Sequence, residues 1–98
     1  MVLDSVLDTV GRVPMIRLAK LSSGKVFAKA EFLNPGGSIK DRVAKHIIEA
    51  AQAAGELKPG MTIIEATSGS TGIGLALVGA RYGYRVVCVM PENVSEER

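Results

Sequence analysis

Residues 61–66 read Met-Thr-Ile-Ile-Glu-Ala, and residues 85–90 read Arg-Val-Val-Cys-Val-Met. Between them stand Thr67-Ser68-Gly69-Ser70-Thr71-Gly72 and a nearly all-apolar stretch over 73–82. Short runs rich in β-branched residues predict strands, and the Leu/Ala-rich stretch between them predicts a helix. A connection long enough to hold a helix joins parallel strands, so the unit is βαβ and the class is α/β. Both strands are apolar almost throughout, which predicts cover on both faces. Pro91 ends the second strand.

Upstream, Lys58-Pro59-Gly60 is a turn. Ile39, Val43, Ile47, Ala51 and Ala54 recur at spacings of three and four, which predicts an amphipathic helix buried along that stripe. Gly55 is placed to end it. Asn34-Pro35-Gly36-Gly37 breaks the chain before it. Ser38 is the expected N-cap, with Asp41 three residues on as the acid of a capping box. Residues 25–32 alternate, with Val26, Ala28, Ala30 and Phe32 on one side, so a half-buried strand is expected. Residues 14–18, Pro-Met-Ile-Arg-Leu, predict a short strand that opens on proline. Ser22-Ser23-Gly24 offers turn chemistry for a β-hairpin between the two. Downstream, Ser95-Glu96-Glu97 reads as a helix start. Two parallel strands with apolar helices do not complete a core. The chain is therefore expected to be an incomplete piece of a larger protein.

Composition narrows the partners. Apolar residues make up 47% of the 98 and charged residues 22%, the balance of a globular chain. The net charge is +2, with basic residues scattered among acids, which argues against nucleic acid or an anionic membrane as partner. No apolar run approaches the ~20 residues of a membrane span. The first eight residues carry Asp4 and Asp8 and no basic flank, unlike a targeting peptide. A single cysteine, Cys88, excludes an internal disulfide framework. A cytoplasmic protein is expected.

Two segments carry the chemistry. In Asn34-Pro-Gly-Gly-Ser-Ile-Lys-Asp-Arg42 the paired glycines permit close backbone approach just before a helix. Lys40 falls in the first helical turn, where a cation opposes the helix dipole. It is either a solvated surface lysine or an amine used as a nucleophile or imine former. In Thr67–Gly72, small hydroxyl residues and glycines lie where a parallel strand hands over to a helix. Ligands bind at such strand ends, and the helix N-terminus favours an anion. The residues do not say which anion. The loop lacks the Gly-Lys-Ser/Thr ending of a P-loop, and Gly69, Gly72 and Gly74 have the wrong order for a dinucleotide fingerprint. Cys88 reads as a core residue and His46 as a helix-surface one. Glu65 reads as a charge partner or loop stabiliser. No cluster has metal-ligand spacing.

Together these segments resemble a known family. Asn34–Arg42 closely resembles the lysine motif of the cysteine synthases and cystathionine β-synthases, pyridoxal-phosphate enzymes of fold type II. Gly11-Arg-Val-Pro-Met-Ile-Arg-Leu18 resembles that family's opening motif, with Arg12 and Val13 in place of its Asn-Thr. Ala66–Ala76 resembles its substrate loop. Val89-Met-Pro91 and Ser95–Arg98 follow in order. The resemblance runs from about residue 5 onward.

The resemblance implies pyridoxal 5'-phosphate as cofactor, bound to Lys40 as a Schiff base. It also implies that Lys40 takes and returns the substrate α-proton. Thr67, Ser68, Gly69 and Thr71 would hold the substrate α-carboxylate. Ser70 stands where the family has an asparagine bonded to the cofactor's ring hydroxyl, and its shorter side chain is expected to weaken that contact. The implied reaction is β-replacement on a serine derivative, foremost cysteine synthesis from O-acetylserine and sulfide. Alternatives are cystathionine synthesis from serine and homocysteine, a desulfhydrase-type lyase, or a non-catalytic fragment that associates with the missing part. The implied assembly is a homodimer of two-domain subunits. Residues 1–45, including the lysine motif, would contribute to the large domain. Residues 46–98 would start the small one. The phosphate-binding loop and the partner of the pyridine nitrogen are expected downstream of these residues.

Overall fold

The structure, a computed structural model, describes residues 1–97. The chain forms two small two-stranded sheets and a packed pair of longer helices. Strands β1 (Met15–Arg17) and β2 (Phe27–Lys29) pair antiparallel, with Ile16 opposite Ala28. Strands β3 (Thr62–Ala66) and β4 (Arg85–Val89) pair parallel, with Ile64 opposite Val87. Helix α3 (Ser70–Tyr82) crosses between them, which completes the expected βαβ unit. The long helix before it, α2 (Lys40–Ala53), packs on α3.

The first sheet is smaller than its alternation predicts. Residues 31–33 leave the strand for a 3-10 turn, and Phe32 is exposed. The connection is not a tight hairpin turn, because residues 19–22 form a short helix, α1 (Ala19–Ser22). Ser23, in the left-handed region, and Gly24 reverse the chain, and the Arg17 guanidinium holds the Gly24 carbonyl at 2.8 Å.

The core lies between α2, α3 and one face of the β3–β4 sheet. It consists of Leu7, Ala44, Ile48, Leu75, Val78 and Tyr84. The buried stripe of α2 is Asp41, Ala44 and Ile48, not the predicted one; Ile39, Val43 and Ile47 face outward. The reason is the neighbour. Gly74 of α3 lets α2 approach so closely that a Cβ there would stand 2.9 Å from the Lys40 carbonyl oxygen and 3.2 Å from the Ala44 Cβ. The side of α2 with small residues wins that contact, since close approach recovers dispersion contacts that a bulkier face would forfeit. Strand cover is likewise one-sided. Ile64 is 66% exposed and Val89 55%, against the predicted burial on both faces.

Helix ends follow local chemistry. Gly55, at φ +75°, follows α2, and Gly83, at φ +78°, caps α3. Helix α3 begins three residues earlier than its apolar run predicts. Residues 95–97 form only a turn, and Arg98, the end of the helix read there, lies outside the described residues. The radius of gyration is 16.1 Å, against ~13 Å for a compact chain of this length. Much apolar surface stays uncovered. No helix among the described residues is long and apolar enough to cross a membrane.

Candidate functional site

Lys40 opens α2 and is exposed. Its amide N–H donates to the Ser38 hydroxyl at 3.1 Å, but the N-cap position falls on Ile39 and not on the expected Ser38. The capping box does not close. The Asp41 carboxylate accepts instead from the Gly36 N–H at 2.5 Å, because the Pro-Gly-Gly turn folds Gly36 beneath the first helical turn.

A polar net ties this start to the rest of the N-terminal segment. Asn34, buried, accepts from the Gly11 N–H at 2.7 Å and donates to the Glu31 carbonyl at 2.8 Å. Arg42 donates to both Glu31 carboxylate oxygens, at 2.6 and 3.0 Å, and to the Gly11 carbonyl at 2.9 Å. Gly11 is thus held at both ends of one residue, and its φ of +81° is one that a side chain would strain. The Arg42 hydrogen bond holds the Glu31 carboxyl below the ordinary glutamate range. This net was missed in the sequence. Its signal was present in Glu31, Asn34 and Arg42, but nothing in their spacing pairs them with Gly11.

Opposite stands the start of α3. Thr67 Oγ1 accepts from the Gly72 N–H at 3.1 Å and the Gly69 N–H at 3.3 Å. It closes the loop from inside. A Cβ at Gly72 would meet the Thr67 methyl at 2.8 Å and the Cys88 sulfur at 2.9 Å, so loop, helix and strand β4 fit together at that glycine. The N–H groups of Ser68, Ser70 and Thr71 and the hydroxyls of those three residues make no hydrogen bond among the described residues. Converging donors at the positive end of a helix form an anion cradle.

The two helix starts face one cavity of about 580 Å³. Its walls include Lys40, Thr67, Ser68, Gly69, Ser70 and Thr71, so every predicted site residue lies on it. Glu65 and Glu97 also line it. The Glu65 side chain forms no ion pair or hydrogen bond among the described residues, contrary to the role its position suggested. Gly69 opens onto free space, with nothing within 4 Å of a Cβ placed there. His46 lies on the helix surface, as read from the sequence, whereas Cys88 is only half-buried behind the loop and is not part of the core.

The arrangement suits an anionic ligand that carries a carbonyl carbon. Lys40 lines the cavity, the facing wall presents free amides and hydroxyls, and Gly69 leaves open space. Pyridoxal phosphate meets that description at its aldehyde and ring-hydroxyl edge. Lys40 and Ser70 both line the cavity wall.

A family model described as "Pyridoxal-phosphate dependent enzyme" matches residues 6–98. Cystathionine beta-synthase of Mus musculus is 51% identical to the chain over 102 residues, covering 99% of this chain and 18% of that protein. Cysteine synthase of Dictyostelium discoideum is 49% identical over 98 residues, covering 97% and 26%. The crystal structure of O-ureido-L-serine synthase superposes with a TM-score of 0.93 at 49% identity, over 100% of this chain and 32% of that one. The chain thus spans less than a third of the length of each of these relatives.

Proposed function

The chain belongs to the pyridoxal-phosphate dependent enzymes, and from that premise we propose that its protein catalyses β-replacement on a serine derivative, with O-acetylserine and sulfide giving cysteine. The observation that carries the proposal is that Lys40 and the free donors of Ser68, Ser70 and Thr71 line one cavity. Similarity to cysteine synthase and to O-ureido-L-serine synthase supports a serine-derived substrate. Similarity to cystathionine beta-synthase keeps homocysteine as the alternative nucleophile.

In this reading the loop 67–71 binds the substrate carboxylate at the N-terminus of α3. Ser68 and Thr71 supply hydroxyl and amide donors, Gly69 admits close approach, and Thr67 keeps the loop in shape through its hydroxyl oxygen. Lys40 would hold the cofactor covalently and would move the substrate α-proton at Nζ. Bound there, pyridoxal phosphate supplies the electron sink for breaking the α C–H bond. Ser70, on the cavity wall, would offer its hydroxyl to the cofactor ring. Residues 1–45 serve the large domain and 46–98 open the small one, with α2 running through the boundary. The subunit pairs as a homodimer.

Borohydride reduction of the full-length holoprotein, followed by peptide mapping, tests the central assignment. The reduced cofactor is expected on Lys40. Label on Lys29 or Lys45 instead overturns it.

A further inference from the structure

Asp41 is fully buried, with 0% of its surface exposed. Its Oδ2 accepts from the Gly36 N–H at 2.5 Å, and its Oδ1 has no hydrogen-bond partner. A carboxylate taken out of water with one oxygen unpaired is costly to keep. The packing of α2 does not demand it, since Ala44 and Ile48 already hold the helix to the core. The contact is instead local to the turn before Lys40. Gly36 is not among the residues with positive φ, so alanine suits its backbone. What bars a side chain there is space, because a Cβ would collide with Asp41 Oδ1. Turn and carboxylate are fitted to each other.

Successive residues of a helix point about 100° apart around its axis. With Asp41 fixed inward on Gly36, its neighbour Lys40 is fixed toward the cavity. The Ser38 hydroxyl on the Lys40 N–H holds the same turn from its other side. We infer that Asp41 is a positioning residue for Lys40, locking the Gly36–Gly37 turn under the helix start so that the amine leaves a rigid first turn. The inference rests on the reading of Lys40 as the cofactor lysine.

The test uses the full-length holoprotein with Asp41→Ala, Asp41→Asn, Gly36→Ala and the Gly36→Ala/Asp41→Ala pair. Misplacing a reacting group by an ångström costs about a hundredfold in rate, so Asp41→Ala is expected to lower kcat by about that factor while KM moves less than about threefold. The visible circular dichroism of the bound cofactor should change. Hydrogen exchange of the apoprotein should quicken over residues 34–40. Asp41→Asn keeps an oxygen for the Gly36 N–H and should restore most of kcat and the dichroic band. Gly36→Ala breaks the same contact from the other side, so adding Asp41→Ala to it should cost nothing more, which is the non-additivity of two residues in one contact.

A wild-type spectrum and kcat in Asp41→Ala, with only a lower Tm, would make the carboxylate structural and overturn the inference. Additive losses in the double variant overturn it as well. If Asp41→Ala does not fold, Asp41→Asn and Gly36→Ala decide by the same readouts. Borohydride label away from Lys40 in the wild type overturns the underlying reading; label on Lys40 with an unaltered spectrum in the variants overturns the inference alone.

Discussion

The two helix starts that meet at the cavity are built in opposite ways. At the start of α2, polar groups are spent on one another: Asp41 on Gly36, Asn34 on Gly11, and Arg42 on Glu31 and Gly11. That end is closed and offers the cavity one amine. At the start of α3, Thr67 alone is turned inward, and the amides of Ser68, Ser70 and Thr71 stay free. That end is open and offers a set of donors. A closed start fixes where a reacting group stands. An open start leaves unmet hydrogen bonds, which a ligand of the right charge satisfies.

The contrast predicts unequal losses. The largest belongs to the amine. Lys40→Ala in the full-length protein should lower kcat by about a thousandfold or more, since a positioned proton-transfer group alone contributes about 10²–10⁴. The Tm of the apoprotein should hardly change, because the side chain is exposed. Steady-state kinetics beside thermal melts checks both. A loss of only a few-fold would make Lys40 a bystander and α2 an ordinary capped helix.

Next is the contact that sets one start against the other. Gly74→Ala places a methyl 2.9 Å from the Lys40 carbonyl oxygen, a backbone atom that cannot rotate away. Overpacking of this kind costs about 1–3 kcal/mol, offset by about 1 kcal/mol of better helix propensity. The expected result is a lower Tm together with lower kcat, because α2 must move and carries Lys40 with it. A melt at or above wild type would show that the helices have room the structure does not grant them.

A smaller effect belongs to the open start. Thr71→Val keeps the shape and removes one hydroxyl. A single hydrogen bond to a charged group contributes about 1.5 kcal/mol, which is about tenfold in affinity. KM for the amino-acid substrate should rise by about that factor while kcat and Tm stay near wild type. An unchanged KM would assign the carboxylate to the loop's amides alone.

How far these features were legible depends on how local they are. The βαβ unit was readable because strand and helix periods lie in contiguous runs and a helical connection forces parallel pairing. The donor loop was readable because its six residues are all Thr, Ser or Gly. The buried face of α2 was not. Ile39, Val43 and Ile47 form the more apolar stripe, but the choice was made by Gly74, thirty or so residues away, which rewards small side chains. The same holds for the net at α2. The Asp41 spacing from Ser38 fits a capping box, yet the turn through Gly36 supplies a nearer donor. Capping-box chemistry did form elsewhere, at Ser5 and Asp8, where no such competitor stands. Strand cover was overread because an apolar strand shows only that both faces can be buried.

The smallest predicted effect concerns the closed start in acid. The Glu31 carboxyl is held below its ordinary range chiefly by the Arg42 hydrogen bond, with Asn34 adding to it. A carboxyl with a lowered folded pKa stabilises the fold fully above its unfolded pKa. That contribution fades as pH falls through the folded value. The Arg42 guanidinium stays charged throughout, so the loss follows Glu31 alone. Both side chains are partly open to solvent, at 18% and 36%, and the effect is therefore modest and weaker in salt. In Glu31→Gln this part of the pH dependence is absent. Melts of the full-length protein from neutral pH down through the carboxylate range should fall more gently for the variant than for the wild type. The two curves should converge at the acid end, where wild-type Glu31 is also neutral. The closed start then shows a pH response that the open start, made of hydroxyls and amides, does not share. Parallel curves, offset by the same amount at every pH, would mean that Glu31 acts through shape and not through charge. The net at α2 would then be held by Asn34 and the Gly11 carbonyl without its ion pair.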